Sequence, residues 1–218
     1  SAPDESIQNL LNSQFIELLQ FFLELQELKN DVKKSLFESI AIMTGHSDEF
    51  SLFFLHPPIE LLSILDNCYI WTDEVKYSFL KILRNFTACQ DISPSLSIID
   101  SSEATEFLKS IFANCSFNAQ KVAYMILFNM ILTQNDSIIE FVLSTFSEYF
   151  QNLIDFLNIG DLFFNQICLY SICICTQYLQ SQSEEIKNQF LDMFSNGEWG
   201  DLFDKLSLSS DEKLSKLA

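Results

Sequence analysis

The chain has 218 residues, is 48% hydrophobic, and contains only four Gly and four Pro, too few for the tight turns of an all-β fold or for glycine-rich βα loops. Its 30 acidic and 12 basic residues leave a net charge of −18, a field that repels phosphate backbones and anionic membrane surfaces and draws in basic partners. Phe occurs 22 times, which is ample apolar area for a large core.

In chain order the spacing of apolar residues predicts helices almost throughout. Residues 4 to 28 read as one broad amphipathic helix. Asn30-Asp31 starts a second helix that runs to Met43, with Gly45 as its left-handed terminator. Ser47 caps a short helix stopped by Pro57-Pro58, and a shorter helix spans 59 to 65. Trp71-Thr72-Asp73-Glu74 leads into a helix over 75 to 89, and Pro94 opens a helical turn over 93 to 100. Residues 102 to 114 form an amphipathic helix with Phe107, Leu108, Ile111 and Phe112 inward. Next comes the central stretch 118 to 134, which is apolar from Val122 to Leu132 apart from Asn129. A long segment over 136 to 157 breaks near Tyr149 to Gln151. A buried helix follows over 162 to 179, then a shorter one over 183 to 194, a turn at Asn196-Gly197, and closing helices from Trp199.

The pattern that decides the architecture is internal repetition. At an offset of 44, residues 78–90 fall on 122–134, pairing Ile82 with Ile126, Leu83 with Leu127, Asn85 with Asn129 and Gln90 with Gln134. At an offset of 43, Thr133-Gln134 fall on Thr176-Gln177. A helical period in the low forties is the armadillo or HEAT spacing, in which no unit can bury its long helix alone. The expected fold is an all-α, right-handed α-solenoid of about three to four armadillo-like units. It is read as one domain over 1–218, with capping helices over 1–57, a repeat core over 58–181 and capping helices over 182–218.

The inventory for chemistry is thin. There is no G-x-S-x-G, H-E-x-x-H, P-loop or G-x-G-x-x-G pattern, and the only histidines are His46 and His56. Cys168, Cys173 and Cys175 point in different directions on a helix and lack a metal-ligand spacing, so all six cysteines read as small core hydrophobes. No enzyme, metal or cofactor is expected. The apolar runs reach about a dozen residues, short of a bilayer span, so no membrane insertion is expected and the chain reads as cytoplasmic. The polar residues of most interest are Asn85 and Asn129, one repeat apart in mostly apolar helices. An amide there either pairs with the backbone of a bound peptide or satisfies a neighbouring helix end. With Arg84 and Lys81 they form the candidate partner-binding set.

Two segments carry a family resemblance. FLKILRNFTACQ (79–90), through Leu83-Arg84-Asn85 and Cys89, and KVAYMILFNMIL (121–132), through Val122-Ala123-Tyr124 and Met125-Ile126-Leu127-Phe128, resemble armadillo-repeat segments of the ataxin-10 family. The resemblance covers about 24 residues and transfers no catalytic residue. It implies a non-enzymatic protein-interaction scaffold connected with cell division or signalling. Two other readings stand beside it: a formin-type regulatory module that receives a small GTPase or an autoinhibitory helix, and a helical ligand carrier with a Phe-lined cavity. Exposed Phe on the terminal helices would allow self-association.

Overall fold

The computed structural model describes residues 14–25, 28–57, 59–159, 161–183, 187–188, 190 and 197–207. Among these there is no strand. The helices are α1 (Gln14–Glu24), α2 (Asn30–His46), α3 (Asp48–Leu55), a 3-10 helix (Leu61–Ile70), α4 (Asp73–Thr87), α5 (Ser93–Asp100) and α6 (Ser102–Asn114). They continue with α7 (Phe117–Leu132), α8 (Asp136–Phe146), a second 3-10 helix (Ser147–Asn152), α9 (Leu153–Asn158), α10 (Leu162–Leu179) and α11 (Gly197–Ser207). Leu10 and Leu11, Pro58 and most of the expected 183–194 helix lie outside the described residues, as does the chain after Ser207.

Local chemistry accounts for the boundaries. Ser47 Oγ accepts from Glu49 N at 3.2 Å, Ser101 Oγ from Ala104 N at 3.1 Å, Asn135 Oδ1 from Ile138 N at 3.2 Å and Asp161 Oδ1 from Phe164 N at 3.0 Å. Each satisfies one of the orphan donors of a helix start. The expected break after α8 is real: the chain tightens into the 3-10 turn before α9 resumes. The helix expected over 59 to 65 is instead a 3-10 segment that extends to Ile70 and kinks at Asn67.

Gly45 departs from its expected role. It lies inside α2, which runs on to His46 and ends at extended Ser47. Its missing side chain serves packing, because a Cβ there would stand 3.1 Å from Asn85 Nδ2 of α4.

By packing, the chain divides into two compact units, Ser1–Ala123 and Tyr124–Ala218, with the division falling inside α7. In a repeat array each unit touches only its neighbours, so such a division need not coincide with the ends of a helix. In the first unit, α2 and α4 run side by side in the same direction. Phe37 meets Phe79 with ring centroids 5.1 Å apart, and two turns further on Asn85 reaches Ala41 and Thr44. Trp71 and Phe107 complete this buried aromatic cluster, at 5.4 Å and 5.6 Å from Phe79. Parallel neighbours about 43 residues apart are what stacking of successive repeats requires, so α2 stands to α4 as one repeat to the next. The equivalence is repeated in detail. Thr44 and Thr87, 43 apart and both buried, each turn the hydroxyl back to the carbonyl four residues earlier, at 3.0 and 3.1 Å.

The second unit is built around Tyr124. Its ring packs against Phe128, Phe150, Phe156 and Phe164, and its hydroxyl donates to the Tyr149 carbonyl in the 3-10 turn. Burial pushes the phenol above its ordinary pKa. By length and composition α10 could cross a bilayer. Phe164, Cys168, Leu169 and Cys175 are nevertheless buried in the unit's core, and Phe164 packs on Phe128 and Phe156, so α10 is a core helix of this unit.

Candidate functional site

Three of the four residues singled out by sequence share one groove. Glu38, Ala41 and Ile42 of α2 and Lys81, Arg84 and Asn85 of α4 line a depression of about 300 Å³ in the first unit. Ile42 is 75% exposed, which makes it an apolar contact point at the rim. Lys81 sits over its own helix's Tyr77 ring, 4.8 Å from the centroid, which holds the ammonium at the surface. Two cations against one carboxylate give the groove a local charge opposite to that of the chain.

Asn85 is half-buried and its donors are engaged. Nδ2 donates to the Ala41 carbonyl at 2.8 Å and to Thr44 Oγ1 at 3.2 Å, while that hydroxyl donates onward to Ile40 O. Both amide hydrogens thus tie α4 to α2, and the side-chain oxygen is left as the acceptor. Gly45 is what admits the amide to this position. Asn129 is half-buried on α7 and belongs to the second unit, so the structure groups Lys81, Arg84 and Asn85 and places Asn129 separately.

One feature that composition conceals is the distribution of charge. Between Lys121 and Lys187 there is no Lys, Arg or His, while seven acids occur. Asp136 and Glu140 are exposed one turn apart on α8. The Tyr178 phenol on α10 is raised by burial and then by Glu140 and Asp136, so both carboxylates lie near that ring. The whole-chain charge hides this asymmetry; counting cations along the chain would have found it.

The remaining residues form two further hollows in the first unit. One, of about 650 Å³, lies between the 61–70 segment and α6, with Leu65, Tyr69 and Phe107 as well as Asp66, Lys76, Glu103 and Glu106 on its walls. The other, of about 250 Å³, mixes Phe22, Phe37 and Trp71 with Gln20, Ser63 and Asn67 on its walls, and the Lys33 ammonium lies 5.7 Å from the Trp71 ring. All six cysteines are free thiols. Burial pushes Cys89 up to about 11 and Cys175 up to about 12, so neither is a thiolate at neutral pH. His46 and His56 are exposed at the C-terminal ends of α2 and α3. Among the described residues no group of three His, Cys, Asp or Glu side chains converges as a metal site.

Solved structures carry the same fold. A designed armadillo repeat protein superposes with a TM-score of 0.72 at 17% identity, over 100% of this chain and 84% of the other. A second designed armadillo repeat protein, in complex with the peptide (KR)4, matches with a TM-score of 0.69 at 16% identity over the same shares. An engineered protein matches with a TM-score of 0.65 at 17% identity, over 93% of this chain and 77% of the other. No family model matches the sequence, and the comparison with curated proteins gave no match. The fold is an all-α, armadillo-type α-solenoid.

Proposed function

We propose that the chain is a non-enzymatic scaffold that binds a peptide or protein segment of net positive charge. The observation that carries this reading is the coincidence of an armadillo-type fold with a charge of −18 and a cation-free stretch from Val122 to Ile186. The similar designed protein with (KR)4 bound supports the same partner class. The basic segment meets the acidic side of the second unit, where the charges of Asp136 and Glu140 act on Tyr178. The ring face adds a cation–π contact to the charge attraction.

The groove between α2 and α4 is the second contact region. Ile42 supplies an apolar anchor point, Lys81 and Arg84 receive a carboxylate or carbonyl of the partner, and Asn85 holds the groove's two walls together. Asn129 marks the equivalent position one repeat on. The cellular setting we propose is cytoplasmic, in keeping with six free thiols, and within it an ataxin-10-like role in cell division or signalling. A formin-type regulatory module is the rival; an actin-directed region in the full-length sequence would favour it.

Hydrogen–deuterium exchange with and without a saturating (KR)4 peptide tests the reading. Slowed exchange in α8 and the C-terminal half of α10 is expected. An Asp136→Asn/Glu140→Gln variant should lose that protection and bind at least about 5-fold more weakly, the scale of one or two exposed charge pairs. Unchanged exchange throughout the chain at saturating peptide would overturn it.

A further inference from the structure

The first described helix carries an apolar face that is about half exposed. α1 buries Ile16 and Leu19, whereas its Phe15, Leu18, Phe21 and Phe22, and Leu25 just past its end, are 38 to 56% exposed. Among the described residues fifteen large apolar side chains are exposed; four of them fall on the eleven residues of α1 and a fifth, Leu25, directly follows it. Scattered exposed hydrophobes are ordinary; a row of them on one helix marks an interaction surface.

The spacing says what kind of surface it is. Phe15, Leu18 and Phe22 are separated by three and four residues, the 3.5-residue period of a helix–helix seam, and Leu25, three further on, keeps that spacing just past the helix end. Heptad positions beside the seam are Gln14, Leu19 and Phe21, none of them charged. Acidic positions 17 and 24 lie seven apart and so fall together, off the seam.

We propose that this face is the contact between two copies of the chain, related by a two-fold axis. Two molecules of charge −18 repel one another over most of their surfaces, and the seam is a place where they can meet without like charges in opposition. Flanking charges are what selects an unlike helix in such pairings, and here there are none to do so. Phe22 and Leu25 also border the 250 Å³ hollow that reaches Phe37 and Trp71, which gives an aromatic ring of the second copy a socket. Five half-exposed side chains remove roughly 400 Å² per copy, about half of what a standard stable interface buries, so the dimer is weak and reversible. It tightens with salt, because screening removes the repulsion and leaves the apolar contact.

Sedimentation velocity on the full chain, from about 10 to about 500 µM at low and high salt, tests the proposal. The expected result is a mass rising towards twice that of the chain, at lower concentration in high salt. Leu18→Glu/Phe22→Glu should weaken the association at least about 100-fold with the far-UV circular dichroism unchanged. Should that variant lose helicity, the milder Phe15→Gln/Leu18→Gln should still weaken it about 10-fold. Tyr69→Ser, an exposed residue away from the seam, should leave it unaltered. A single-chain mass at every concentration, a dimer that survives the seam variants, or one abolished by Tyr69→Ser would overturn the proposal.

Discussion

The contact between Gly45 and Asn85 makes a quantitative prediction about how the first two repeats hold together. Replacing a helical Gly by Ala ordinarily stabilises a protein by about 0.5–1 kcal/mol, because the unfolded chain loses freedom. At Gly45 the new methyl would lie 3.1 Å from Asn85 Nδ2, closer than van der Waals contact allows. The amide must then retreat by a few tenths of an ångström from two hydrogen bonds, to Ala41 O and Thr44 Oγ1, each worth about 1 kcal/mol net. Gly45→Ala should therefore destabilise the first unit by about 1 kcal/mol, the loss of both bonds outweighing the helix gain. Asn85→Ala alone should cost about 1–2 kcal/mol. In the Asn85→Ala background the obstacle is gone, and Gly45→Ala should recover about 0.5–1 kcal/mol. The interaction energy of the cycle is then about 1.5–2 kcal/mol. Urea denaturation followed by Trp71 emission in a Trp199→Phe background reads the first unit specifically. Additivity of the two substitutions within about 0.3 kcal/mol would refute the reasoning.

Other expectations follow from the same packing. Phe79→Ala removes the ring that touches Phe37, Trp71 and Phe107 and should cost about 3–5 kcal/mol, visible as a lower urea midpoint and altered Trp71 emission. Asp161→Ala should lower stability by about 1 kcal/mol through loss of the α10 cap, whereas Asp161→Asn should retain most of it, as thermal melts would show. Alkylation at about pH 8 followed by mass spectrometry should leave Cys168 and Cys175 unmodified in the folded protein and modify both in urea, since burial raises both thiols. The same raised values set the direction of a pH effect. Folded thiols keep their protons where unfolded ones, near 9.0, lose them, so this contribution is complete below pH 9 and declines as pH rises towards about 11 for Cys89 and about 12 for Cys175. Urea midpoints that stay constant across that range would contradict it.

Much of the architecture was legible because apolar spacing and caps act locally. Ser101 followed by an amphipathic run yields α6 at Ser102–Asn114 as expected, and the break after Phe146 shows in the weakened periodicity around Tyr149. The roles of Gly45 and α2 were not legible, because they depend on a neighbour 40 residues away. Gly near the end of an apolar run ordinarily stops a helix, and only the approach of Asn85 shows that this one serves packing. A signal for α2 as a further repeat was present in Ser35 with Ser78 and Thr44 with Thr87, each 43 apart. Both pairs combine common residue types, so the alignment gains force only from the matching Thr hydrogen bonds. The candidate site divides in the same way. Lys81, Arg84 and Asn85 fall together because they are neighbours on one helix face. The loss of Asn85's donors to α2 is a tertiary fact that no periodicity encodes.

The claim at the centre of this account is that the chain binds a basic segment through its acidic surface. Isothermal titration with (KR)4 and with a peptide of four Asp-Glu pairs, at about 0.05 M and 0.5 M salt, measures it directly. The basic peptide is expected to bind and to weaken at least about 10-fold at the higher salt, and the acidic one not to bind. Equal affinity for both peptides, or no heat from either at low salt, would contradict it.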